Sequence, residues 1–306
     1  MLGLGLPAGK DGFVQRGLLA LLFASLLAGS SAGVGGATSA PARVPPSDYL
    51  VANLSGHLRV LDQQGKLLRR VPRFAAPLSG HGVQGLALTP NRLSAYVSVY
   101  EGLQHPPRLY QVSLADGTRT EIAEALSPTL SPDRTRIAYL TVEMRNGVQY
   151  LAALVVRDLP WGQARTIPLP AGDALGSPPG LVLNWSPDGR SIALSDGTRV
   201  RVVHISTATT VDSEPSIPGG KGLAPVFLDR DTVIVLANCC VGRQNLVAVD
   251  LRSGSRKLFA HISSPDENVR TVKRGTLLAV TALHQLVRVT RARVRLLANG
   301  ILAATS

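Results

Sequence analysis

Aromatic side chains make up only 4% of this 306-residue chain, which argues against a stacking platform for sugars or single-stranded nucleic acid. Six histidines, at positions 57, 81, 105, 204, 261 and 284, never fall at metal-ligand spacing on one element. No metal or cofactor is expected on that ground. Paired catalytic carboxylates are missing too: Asp133, Asp188 and Asp250 sit in turn motifs, and Asp266-Glu267 reads as a solvated loop. Beyond residue 40 no apolar run approaches the roughly 20 residues a membrane-spanning helix needs. No long 3.6-residue periodicity appears there either, so helix should be scarce. Cysteine is confined to the adjacent pair Cys239 and Cys240. In an oxidising compartment they could close a strained vicinal disulfide, and the plainer reading is a pair that stiffens a turn or stays as two thiols.

What is present is apolar and basic. Hydrophobic residues form 45% of the chain, enough to bury a sizeable core. Lys plus Arg number 32 against 20 Asp plus Glu, a formal charge of +12, which favours acidic partners. Lys10 and Arg16 precede an apolar run from Leu18 to Ala28 and a small-residue stretch from Gly29 to Ala40. That order is the signature of a secretory signal peptide, with cleavage expected after Ala40 and an earlier site offered by Ser30 and Ala32. Gly29-Ser30-Ser31-Ala32-Gly33 matches a hydrolase nucleophile pattern but lies inside this leader. An exported basic protein meets an envelope protein, an anionic polymer or a lipid surface as partner, and not nucleic acid. The mature chain carries no transmembrane segment by this reading, and its location is the periplasm or the outside of the cell.

After a linker over residues 41–47, short β-branched and leucine-rich runs alternate with turns every 8–12 residues or so, the pattern of an all-β fold. The turns repeat. Leu88-Thr89-Pro90-Asn91, Leu130-Ser131-Pro132-Asp133 and Trp185-Ser186-Pro187-Asp188-Gly189 each separate two apolar runs, with degenerate versions at Leu228-Asp229-Arg230-Asp231 and Val272-Lys273-Arg274-Gly275. Proline presets φ, Asp or Asn bonds its own backbone and Gly supplies positive φ. From Thr89 through Ser131, Ser186 and Leu228 to Val272 the intervals are 42, 55, 42 and 44 residues. A period in the forties with four strands per unit indicates propeller blades. A second turn, as in Asp62-Gln63-Gln64-Gly65, Leu114-Ala115-Asp116-Gly117 and Asp250-Leu251-Arg252-Ser253-Gly254, joins the two outer strands of each unit.

The stretch Leu183-Asn184-Trp185-Ser186-Pro187-Asp188-Gly189-Arg190-Ser191-Ile192-Ala193-Leu194-Ser195 resembles the TolB-like β-propeller repeat, and residues 128–139 carry a second copy without the aromatic and the glycine. The resemblance implies a propeller over residues 48–306. TolB proteins also have an N-terminal α/β domain that pairs with envelope proteins, and no counterpart is expected in the residues given before Tyr49. Five units begin near Gln84, Leu126, Gly180, Gly222 and Asn268. A partial first unit at residues 48–73 lacks an inner strand, which residues 301–305 can supply, thereby removing an exposed edge. The expected architecture is six blades, the first closed by the C-terminal strand, or seven if Phe74 to His81 forms strands.

Candidate site residues are few. Arg291, Arg293 and Arg295 alternate and could share one strand face as an anion-binding stripe, although an outer strand carries such charges anyway. Arg69, Arg70 and Arg73 stand under the same reservation. Trp185 should be core, whereas Trp161 in Pro160-Trp161-Gly162 lies at a turn and is the better partner-binding candidate. His204 reads as a packed strand residue. The sequence points to an exported, non-catalytic binding scaffold. The alternative is a hydrolase or lyase with its site at the central channel, formed by His, Asp or Glu from several blades.

Overall fold

The computed structural model describes residues 43–76, 82–102, 105–169, 183–195, 200–212, 223–238, 244–262, 265–273, 276–281, 285–290, 293–299 and 301–305. The expected leader, Cys239, Cys240, Arg291 and His81 lie outside these. Every regular element among the described residues is a β-strand, as the missing helical periodicity required.

The first blade contains β1 (Tyr49–Asn53), β2 (His57–Leu61) and β3 (Leu67–Ala75). The second is β4 (Gly82–Leu88), β5 (Ser94–Tyr100), β6 (Arg108–Ser113) and β7 (Arg119–Ala123), and the third is β8 (Ala125–Leu130), β9 (Arg136–Arg145), β10 (Val148–Asp158) and β11 (Ala164–Pro168). The fourth is β12 (Asn184–Trp185), β13 (Ser191–Ser195), β14 (Val200–His204) and β15 (Thr209–Asp212). The fifth is β16 (Leu223–Phe227), β17 (Thr232–Asn238), β18 (Gln244–Asp250) and β19 (Arg256–Ile262). The sixth is β20 (Pro265–Lys273), β21 (Thr276–Thr281), β22 (Gln285–Val289) and β23 (Val294–Asn299). The last strand, β24 (Ile301–Thr305), joins the first blade, whose order is β24-β1-β2-β3. Leu50 faces Thr305 and Val51 faces Ala304.

The innermost strands β24, β4, β8, β12, β16 and β20 touch in succession, and β20 returns to β24. Six blades therefore form a closed ring. Phe74 and Ala75 finish β3 and start no seventh blade. Asp266 and Glu267, expected in a loop, fall within β20, because pairing with β21 already starts at Pro265.

Packing follows from the ring. Each blade packs against a neighbour on both faces, so the strand next to the innermost one is buried on both sides instead of alternating; all five residues of β1 are buried. Six hydrophobic clusters result, one at each blade junction. On β5, Ala95, Val97 and Val99 face the first blade while Tyr96 faces the third. Truncating a buried leucine such as Leu86 to alanine in a core of this kind costs about 2–5 kcal/mol.

The repeated turns explain their own sequences. In three blades a hydroxyl heads the turn and donates to the carboxylate or amide two residues on: Thr89 to Asn91 (2.7 Å), Ser131 to Asp133 (2.5 Å) and Ser186 to Asp188 (2.7 Å). The same hydroxyl accepts the backbone N–H five residues on, from Ser94, Arg136 and Ser191. Each turn is then tied to its own blade's outer hairpin. Leu114 N–H donates to the Leu93 carbonyl, Leu159 to Thr135, Ile205 to Arg190 and Leu251 to Asp231, at 2.7–2.9 Å.

Arginines clasp neighbouring blades together. Arg69 on β3 donates to the Leu114 carbonyl of the second blade (2.8 Å), and Arg165 on β11 donates to the equivalent Ile205 carbonyl of the fourth. Arg136 reaches from β9 to the Gly189 carbonyl (2.9 Å) and lies over the Trp185 ring, 4.9 Å from its centroid. Arg288 on β22 donates to the Gln63 carbonyl of the first blade (2.8 Å) and to the Tyr49 hydroxyl. Part of the basicity thus serves as inter-blade hydrogen bonding, for which the multi-donor guanidinium suits better than an ammonium.

Candidate functional site at the channel mouth

Because the inner strands β4, β8, β12, β16 and β24 all run the same way through the ring, their C-terminal ends converge on one face. There they enclose a cavity of about 610 Å³, within the usual range of ligand pockets. Its walls are mixed: Leu130, Trp185, Phe227 and Leu278 are apolar, while Thr129 and Asn184 supply polar groups. The Trp185 indole N–H points at the Thr129 carbonyl (3.4 Å) and the Asn184 side chain accepts the Phe227 N–H (3.1 Å). These polar edges are thereby fixed by the neighbouring blade.

The rim is made by the repeated turns and carries Arg134, Asp229 and Arg230. Arg230 lies 3.6 Å from Asp188 and is itself largely solvated, so that pair is weak. Asp133 and Asp188 accept the Thr135 and Arg190 backbone N–H groups (3.1 Å each) besides their hydroxyl partners. The Ser131 hydroxyl and the Thr135 N–H hold the Asp133 carboxyl down to about 2. These carboxylates are turn staples. Among the described residues no group of three His, Cys, Asp or Glu could hold a metal ion.

Arg134 is the unusual rim residue. It occupies the position that glycine takes in the fourth blade: φ is 59° at Arg134, 58° at Arg92 and 66° at Gly189. A residue with a Cβ in the left-handed region costs about 1–2 kcal/mol. At Arg92 the reason is visible. Its buried guanidinium donates to the carbonyls of Val44 (2.8 Å), Pro45 (2.8 Å) and Asp48 (3.2 Å), anchoring residues read as a linker, with Val44 itself fully buried. Burial, then repulsion by Arg134 and Arg43, push Arg92 down to about 10, with Asp48 opposing. The Arg134 guanidinium has no such occupation: among the described residues it has no hydrogen bond or ion pair.

The other expected site residues are dispersed. Trp161, on the β10–β11 turn, is 39% exposed. Its ring meets Tyr96 of the second blade edge-on at 5.8 Å and lies under Arg157, so it wedges two blades together. The Leu159 to Thr135 hydrogen bond puts its hairpin on the same face as the cavity. Arg293 belongs to the turn before β23 and only Arg295 is on the strand, both exposed; neither lines the cavity. Arg70 and Arg73 are exposed, whereas Arg69 is the clasp described above. His204, expected to pack, is exposed at the end of β14, its Nδ1 2.9 Å from the Ser191 hydroxyl. The cavity residues escaped sequence reading because they come from blades some forty residues apart. The one available signal was arginine standing at the glycine position of the turn.

No protein-family model matches the sequence, and a search of curated proteins finds no match. Solved structures do match in shape. TolB from Acinetobacter baumannii aligns with a TM-score of 0.59 at 15% identity over 83% of this chain, which spans 64% of that chain's length. A chain of the nidogen/laminin complex aligns at 0.58 and 14% identity, covering 84% of this chain and 97% of that one. An oligogalacturonate lyase in complex with manganese aligns at 0.53 and 10% identity, covering 83% and 79%. In fold, then, this chain is a TolB-like six-bladed β-propeller.

Proposed function

We propose that the chain is an exported, non-catalytic binding propeller that receives a segment of another envelope protein at the channel mouth. The observation that carries this reading is the cavity of about 610 Å³ whose mixed walls are fixed by inter-blade hydrogen bonds and whose turn carboxylates are engaged with their own backbones. Such a pocket offers apolar area with a few oriented polar groups, which is what recognition needs. Propellers serve both binding and catalysis, as the nidogen/laminin complex and the oligogalacturonate lyase illustrate, so the reading rests on the site and not on the architecture. Export rests on the leader at residues 1–40.

The test places a photo-crosslinking amino acid at Pro132 on the rim or at Leu258 on the outer strand β19, in intact cells. The expected result is a discrete protein adduct from position 132 and none from 258, with the mature chain starting near Pro41. Adducts from 258 alone would overturn the mouth as the binding face. Turnover of a polysaccharide or peptide substrate, abolished by changes at the rim, would favour the enzyme.

A further inference from the structure

We propose that the mouth recognises a carboxylate, presented by an acidic and partly apolar extended segment, and that Arg134 is the residue that holds it. This rests on the mouth being the binding face and adds the chemistry of what binds there.

Three observations converge. Arg134 keeps a left-handed backbone where the fourth blade uses glycine, so its side chain is retained against a conformational cost that the turn itself does not require. It lines the cavity without an intramolecular partner among the described residues. A neighbouring cation deepens the demand for an anion: Arg92, in the equivalent turn of the second blade, and Arg134 repel one another. A planar guanidinium free to bond at a partly dehydrated rim takes a carboxylate through two parallel hydrogen bonds.

The rest of the lining selects among anions. Leu130, Phe227 and Leu278 give the cavity apolar wall, which a uniformly charged polymer cannot cover. With Arg230 facing Asp188 and Asp229 on the same rim, Arg134 is the rim cation left over among the described residues. It matches a single carboxylate flanked by hydrophobic side chains, the composition of an acidic and partly apolar peptide segment.

The probe is a fluorescein-labelled eight-residue peptide alternating leucine and glutamate, with the glutamine version as its uncharged control, titrated against the mature full-length chain. The expected result is binding of the glutamate peptide, weakened about tenfold or more by glutamine replacement and by Arg134→Gly. Arg134→Gly should keep or raise Tm, because glycine is native to the equivalent turn. Arg134→Gln, which preserves bulk, should lose affinity equally, and Arg134→Lys should retain part of it. Equal affinity for both peptides, unchanged affinity in Arg134→Gly, or no binding of the glutamate peptide would each overturn the carboxylate assignment. Retained crosslinking at Pro132 in the Arg134→Gly chain would show that the mouth still binds, separating this failure from failure of the mouth itself.

Discussion

Arg92 and Arg134 hold the same left-handed turn position in successive blades, one buried among three backbone carbonyls and the other facing the cavity without a partner among the described residues. Their glycine variants should therefore diverge. Arg134→Gly is expected within about 1 kcal/mol of wild type, since relief of strain offsets the freer unfolded chain. Arg92→Gly removes three charge-assisted hydrogen bonds, two of them buried, and should cost about 2–3 kcal/mol. Urea unfolding of the two variants side by side measures the difference, and equal stabilities would refute it.

Glycines in the outer hairpins are expected to be irreplaceable where they meet the preceding blade. A Cβ on Gly117 would lie 1.7 Å from the Pro72 carbonyl oxygen, and one on Gly65 would lie 1.9 Å from that of Leu297. Gly147 also has positive φ, at 75°, but nothing lies within 4 Å of its Cβ position. Gly147→Ala should cost about 1 kcal/mol from backbone strain alone. Gly117→Ala and Gly65→Ala should cost at least about 3 kcal/mol, because backbone must move as well. Thermal denaturation distinguishes the two classes.

Asp133 sets part of the acid stability. Its carboxyl is held to about 2 in the folded chain against about 3.9 when unfolded. Because the folded value is the lower one, the contribution is complete above about pH 4 and is lost as pH falls towards 2. Asn91 performs the same turn function in the second blade, accepting from the Thr89 hydroxyl and the Leu93 N–H. Asp133→Asn should therefore fold and show a shallower loss of stability between pH 4 and 2 than wild type. Parallel acid unfolding curves would count against this account.

Ring closure predicts a crosslink. Val51 and Ala304 are directly opposed on antiparallel neighbours, a separation at which two cysteines can bridge. With Cys239 and Cys240 changed to serine, the double variant Val51→Cys, Ala304→Cys should oxidise to an intramolecular disulfide, read by non-reducing mass spectrometry. Free thiols after oxidation of the native protein would place the two strands apart.

The architecture was legible because its determinants are local. Thr89, Ser131 and Ser186 head turns whose hydrogen bonds close within five residues, so the sequence had to repeat wherever the turn did. The unpaired first blade and the spare strand at residues 301–305 together implied the seam that β24 and β1 form. The clasps were not legible: Arg69 and Arg165 bind carbonyls on the next blade, set by a ring geometry that neither local sequence states. Nor was the cavity, since Leu130, Trp185, Phe227 and Leu278 come together only when the blades do. Tertiary packing also moved a single expectation, exposing His204, and it set the exposed Trp161 edge-on to Tyr96 of the neighbouring blade.

The pairing of β24 with β1 has a consequence for biogenesis. Neither Val51 nor Tyr49 can acquire its final neighbours until the chain has been made as far as residue 304, because Ile301 and Ala304 complete the cluster that covers them. Five blades can assemble progressively as they emerge, but the first must wait with one hydrogen-bonding edge bare. A ribosomal product cut short by a few residues would be a nearly finished ring with a sticky seam, ready to pair with another such chain or to be recognised by a protease.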